Sequence, residues 1–161
     1  MGLILGIDPG SRVTGYGLVD VEGRKPRYVA SGCIRLREPS LQLRLQTLYG
    51  SIQTLCDQYQ PEFSAIEQVF VGRGADAALK LGHARGVAML GLANAGLDVQ
   101  EYAARAVKQA VAGSGAADKI QVQSMVCRLL ALEKTPPEDA ADALAVALCC
   151  AFSDNAYARA L

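Results

Sequence analysis

The sequence predicts an α/β domain with a mixed five-stranded sheet covered by helices on both faces. Three features of the chain point to it. Three apolar runs separated by turn residues come first, "LILGID", "TGYGLVDV" and "RYVASGCIRL"; two more, "FSAIEQVF" and "LDVQEYA", then alternate with stretches of helical periodicity. The chain closes on the helical run "TPPEDAADALAVALCCAF". Consecutive strands followed by strands and helices in alternation need a sheet that is antiparallel in one part and joined by crossovers in the other. The 161 residues can bury one core with two helical layers, so 1–161 is expected to form a single domain.

Each element has a local reason. "LILGID" is a continuous apolar run and reads as a buried strand, followed by the turn "PGSR", a second strand, the turn "VEGRKP" and a third strand, together an antiparallel meander. Leu41, Leu45, Leu48, Ile52, Leu55 and Tyr59 recur at helical spacing after Pro39-Ser40, which predicts an amphipathic helix. "DAALKLGHARGVAMLGLANAG" is a long helix ending on glycine, "ARAVKQAVAG" a helix stopping at Gly113, and "DKIQVQSMVCRLLAL" another. For the last helix, Thr135, Pro136 and Glu138 form a capping-box signature with proline in the first helical position.

Composition narrows the class. A hydrophobic content of 51% with 20% charged residues is that of a folded soluble chain; no apolar run is long enough to cross a bilayer, and no basic leader precedes the first strand. A cytoplasmic protein with no membrane partner is expected. The cysteines, Cys33, Cys56, Cys127, Cys149 and Cys150, form no C-x-x-C pair, which favours small core residues over a disulfide framework or zinc ribbon. Net charge is zero, yet Gln68 to Arg128 carries seven basic residues against four acids, and beyond Arg128 acids outnumber bases five to two. A basic surface beside an acidic pocket, or ordinary solvated helix faces, would both give this pattern.

The acids carry the functional signal. Asp8 ends the first strand and Glu67 ends "SAIE"; if those strands are parallel neighbours, both carboxylates emerge at the carboxyl edge of the sheet, where open α/β sheets place their sites. Asp139 and Asp142 lie one turn apart on the last helix, with Ala143, Val146 and Cys150 continuing toward the core. Each has an ordinary explanation: Asp-Pro-Gly is turn chemistry, and acids near a helix N-terminus are favoured by its dipole. Asp142, set among small and apolar neighbours, fits that explanation least. Four convergent acids would repel one another unless divalent cations lay between them, and oxygen ligands imply Mg²⁺ or Mn²⁺ rather than zinc. His83, the only histidine, reads as a surface or interface residue of its helix.

"GIDPGSRVTGYGLVD", "AIEQVF", "DAALKLGHARGVA", "EYAARAVKQAVAGSG" and "DAADALAVA" resemble, in order and over nearly the whole chain, the RuvC family of Holliday junction resolvases. The resemblance implies an RNase H-like fold, a homodimer, a four-way DNA junction as substrate, and the branch-migration proteins RuvA and RuvB as partners. It implies hydrolysis by two Mg²⁺ ions per site, with Mn²⁺ as a substitute, and places the catalytic metal ligands on Asp8, Glu67, Asp139 and Asp142. Asp8 would bridge the ions, Glu67 and Asp142 would complete their ligation, and Asp139 would assist. Lys108 and Lys119 match the family's functional lysines and Phe70 its junction-stacking aromatic, while Arg73 in the following loop would contact phosphate. The chain ends at "NAYARAL" without the basic tail expected of some relatives.

Other functions make different demands. The opening turn also resembles the phosphate loop of actin-like ATPases and sugar kinases, which need a second lobe that 161 residues do not hold. A junction-binding module without catalysis would bind but not cut in Mg²⁺. An RNase H-like nuclease for RNA–DNA hybrids would differ in substrate alone.

Overall fold

The computed structural model describes residues 2–22, 25–69, 72 and 74–153. Strand β1 (Leu3–Asp8) is central because both its faces are covered, and Ile4, Leu5 and Ile7 are wholly inaccessible. It pairs antiparallel with β2 (Val13–Glu22), which pairs antiparallel with β3 (Lys25–Arg35). On its other side β1 pairs parallel with β4 (Phe63–Glu67), and β4 with β5 (Val99–Tyr102). The order β3-β2-β1-β4-β5 is the mixed five-stranded sheet expected.

Side-chain alternation along the strands feeds two separate cores. Leu5, Ile7, Leu18 and Ile34 face helices α1 (Leu41–Tyr59) and α2 (Ala75–Asn94), where Leu48, Ile52, Ala88 and Leu92 meet them. Ile4, Val19, Val21 and Ala65 face the helices α3 (Ala104–Ala112), α4 (Lys119–Leu129) and α5 (Glu138–Phe152). Each Leu or Ile buried in this way contributes about 1.5–3 kcal/mol. Helix α5 is covered on all sides: from Ala140 to Ala151 every residue but Asp142 is buried. It lies almost on the sheet backbone, because a Cβ on Gly6 would run into the carbonyl oxygen of Ala143, and one on Gly15 into that of Asp139. Among the described residues no helix is long and apolar enough to cross a membrane.

Helix starts follow the local chemistry, with one correction. Ser40 caps α1 by accepting a hydrogen bond from the Leu43 amide, as the Pro39-Ser40 signal predicts. The capping box expected at Thr135 does not form. Helix α5 begins after Pro137, which stands extended at φ −51° and ψ 150° with no side-chain cap. The cause is the Pro136-Pro137 pair: a residue before proline is kept out of the helical region, so Pro136 cannot open the helix. The reciprocal box instead forms one helix earlier, between Asp118 and Gln121 at the start of α4. Strand β4 also stops short of its predicted end, after Glu67, where its pairing with β5 ends at Tyr102. Of the five cysteines, Cys56, Cys149 and Cys150 are buried as expected, while Cys33 and Cys127 are only half-buried.

Candidate active site

The strand register brings the acids to one edge. The parallel pairing of β1 and β4 runs from Ile4↔Phe63 to Ile7↔Ile66, so one step further sets Asp8 beside Glu67. Both point to the α5 side of the sheet, sharing alternation with Ile4 and Ala65, respectively. Asp8 pairs across β2 with Gly15, the residue whose missing side chain lets the Asp139 carbonyl approach. A glycine in β2 therefore sets the first turn of α5, and with it Asp139 and Asp142, over the end of β1.

The turn after Asp8 is clamped from within. Buried Thr14 donates through Oγ1 to the Gly10 carbonyl, 3.1 Å away, and accepts from the Gly10 amide at 3.2 Å. The chain leaving Asp8 bends at Ser11 and Arg12 and is held between Gly10 and Thr14, so turn chemistry accounts for the Pro-Gly pair without deciding what the Asp8 carboxylate does.

Electrostatics tie the four acids together. The Asp8 carboxyl is raised from 3.8 to about 8, first by burial, then by the negative charges of Asp142, Asp139 and Glu67, with Lys119 opposing. Glu67 is raised by burial and by Asp142, against Lys108 and Lys119. Asp142 is also raised by burial, though Lys119 offsets it. Removing a carboxylate from water costs free energy, and gathering several costs more, unless positive charge arrives to offset both.

Two lysines supply part of that charge. Lys119, the first residue of α4, forms an ion pair with Glu138 and lies 3.4 Å from Asp142 Oδ2. With Lys108 from α3, Glu67 and Asp142, it lines a cavity of about 490 Å³ floored by Val107 and Val146. Asp8 and Asp139 do not line this cavity. The donors suit a hard divalent cation: all are carboxylate oxygens, partly desolvated and mutually repelling. As the side chains stand, however, no group of three or more His, Cys, Asp or Glu residues among those described forms a ready metal cage. Asp142 is instead drawn to Lys119.

Phe70 and Arg73 lie outside the described residues. His83 is exposed on α2, as expected. Three features escaped the sequence reading. One is the Thr14 clamp, for which a threonine four residues after a Pro-Gly turn is a usable signal. The others join distant parts of the chain and leave no local pattern. Glu138 holds Lys119; Arg85 pairs with Glu101 and sets its Nε 3.5 Å from the Glu67 carbonyl.

Comparison with known proteins agrees with the geometry. The family model described as crossover junction endodeoxyribonuclease RuvC matches residues 4–150. The crossover junction endodeoxyribonuclease RuvC of Marinobacter nauticus is 57% identical over 159 residues, covering 99% of this chain and 91% of the relative. The structure of Thermus thermophilus RuvC in complex with Holliday junction substrate superposes with a TM-score of 0.89 at 34% identity, covering 99% of this chain and 96% of that one. The yeast mitochondrial Holliday junction resolvase, at 12% identity and a TM-score of 0.66, shares the fold over 92% of this chain and 77% of its own. With β1, β4 and α5 bringing Asp8, Glu67, Asp139 and Asp142 to one edge inside the matched span, the chain belongs to the RuvC family of crossover junction endodeoxyribonucleases.

Proposed function

We propose that this chain resolves Holliday junctions in recombination and repair, as one nuclease domain spanning 1–161, by hydrolysing a phosphodiester in each of two opposed strands. The observation that carries the proposal is the convergence of three further acids on the charge of Asp8 at the carboxyl edge of the sheet. Asp8, Glu67, Asp139 and Asp142 are the proposed ligands of two Mg²⁺ ions, with Mn²⁺ able to replace them. Bound there, the ions supply a water of lowered pKa and positive charge for the leaving 3′-oxygen.

The chain's own residues do the rest. Asp8 occupies the centre, with Glu67 beside it on β4 and the α5 acids above it. Lys108 and Lys119 border the cavity shared by Glu67 and Asp142, where they would hold the scissile phosphate by charge. Phe70 is proposed as the aromatic that stacks at the junction centre and Arg73 as a phosphate contact. Neither requires the catalytic acids, so binding and cutting should be separable.

Paired nicks need two sites related by a two-fold axis, so a homodimer is proposed. Helix α2 offers a face for it. Leu79 and Leu90 are 61% and 53% exposed, and Gly82 and Gly86 between them open onto free space rather than packing on the sheet. RuvA and RuvB as partners and a cytoplasmic location complete the proposal. The test is cleavage by the wild-type chain of a synthetic four-way junction, a matched duplex and an RNA–DNA hybrid in Mg²⁺, with EDTA as control. Junction-selective, symmetric, EDTA-sensitive nicks are expected. Preferential cutting of the hybrid would transfer the chain to the other nuclease class, and binding without cutting would leave only a junction-binding module.

A further inference from the structure

Glu138 has no role in the proposed reaction, yet it holds one of the two lysines that the reaction uses. It is the first residue of α5, and its carboxylate is ion-paired with Lys119, the first residue of α4. The same ammonium lies 3.4 Å from Asp142. The side chains of Lys119 and Glu138 are 51% and 63% exposed, so the pair stands at the rim of the cavity, open to a ligand from solvent.

One cation between two carboxylates leaves the rim negative, and two of the three ammonium donors face acids. A phosphate arriving there meets a lysine whose charge is already offset. Asp142 is drawn inward, half-buried among the acids around Asp8, whereas Glu138 faces solvent. We propose that Glu138 is a positioning residue that holds Lys119 at the rim of the acid pocket and tunes the binding of the DNA phosphate by offsetting its charge. The inference rests on the proposed nuclease reading only for the identity of the phosphodiester as DNA.

The test is a salt series of fluorescence anisotropy titrations in EDTA, with a four-way junction and a matched duplex as probes. The proteins are the wild type, Glu138→Gln, Lys119→Met, the double variant, and Asp57→Asn as a control for net charge on distant α1. Glu138→Gln should bind both probes several-fold more tightly at low salt. Its slope of log Kd against log salt should steepen by about 0.9, the value of one additional phosphate contact. The gain should vanish in the Lys119→Met background and be absent from Asp57→Asn. A gain that survives Lys119→Met, or no gain at all, overturns the inference. A Glu138 that merely supports the fold would lower Tm without moving the salt slope. Should the wild type fail to prefer the junction, the junction reading falls while the duplex series still decides the role of Glu138. Elution from immobilised heparin, which requires no DNA selectivity, should shift in the same direction.

Discussion

The two faces of the sheet are built from different residues. The α1/α2 face is filled by Leu5, Ile7, Leu18, Leu48, Ile52 and Leu92, ordinary aliphatic packing with side chains between helix and sheet. On the α5 face, over β1 and β2, contact is made by Gly6, Gly15 and Gly17 against a helix rich in alanine. The four acids converge at the end of that second face. Close approach of backbone to backbone fixes a helix within a fraction of an ångström, which long, adaptable side chains do not. Both faces bury aliphatic side chains, but only on the α5 face do strand glycines bring helix backbone onto the sheet, so that face also fixes position.

Substitutions should separate the two. Leu48→Ala, on the aliphatic face, should cost about 2–5 kcal/mol by leaving a cavity, read as a lower denaturant midpoint. The fraction that remains folded should still cut at the wild-type rate. Gly15→Val should cost about 3 kcal/mol, at the upper end of overpacking, because its side chain meets helix backbone and not a movable neighbour. Here activity should fall further than the folded fraction, since α5 must shift and carry Asp139 and Asp142 with it. Equal loss of fold and activity in both variants would erase the distinction.

Acidity offers a third contrast confined to the α5 face. The Asp8 carboxyl is held near 8, above its ordinary 3.8, so the native state keeps a proton that the unfolded chain has lost between those values. Its contribution to stability is therefore present below about pH 4 and lost as pH rises through about 8. Glu67 and Asp142, also raised, act in the same direction. Melting in EDTA should show Tm falling across this range. Asp8→Asn should flatten the fall, and Mg²⁺ should restore most of the loss at pH 8 in the wild type alone. A Tm in EDTA that rises between pH 5 and 8 in step with Asp8→Asn would remove the repulsion. The smallest effect belongs to Gly50, in the middle of α1, where a Cβ would meet nothing within 4 Å. Gly50→Ala should stabilise by about 0.5–1 kcal/mol, detectable in urea, with cleavage unchanged.

Much of this was legible in the sequence, for identifiable reasons. Strand signals in "LILGID" and "SAIE" are local, so their ends, and hence Asp8 and Glu67, could be placed; only their parallel pairing had to be assumed. Spacing put Asp139 and Asp142 on one face of a helix, whereas the resting of that helix on Gly15 and Gly17 shows only in the fold. What was not legible joins residues far apart in the chain. The ion pair between Lys119 and Glu138 spans 19 residues and depends on how two helix starts face each other. The start of α5 was misplaced because a capping pattern competed with the stronger backbone restraint of two consecutive prolines.

The central claim, that the acids on the α5 face form a catalytic centre, is tested most directly at Asp142. Asp142→Asn keeps the shape of the side chain and removes one charge from the pocket. The measurement is nicking of a synthetic four-way junction in Mg²⁺, with a gel shift on the same samples. Junction binding retained at wild-type strength or tighter, with nicking reduced by about 100-fold or more, the scale of losing one charge-stabilising group, is the predicted result. Near-normal nicking by Asp142→Asn would contradict the account and return Asp142 to the ordinary acids of a helix first turn.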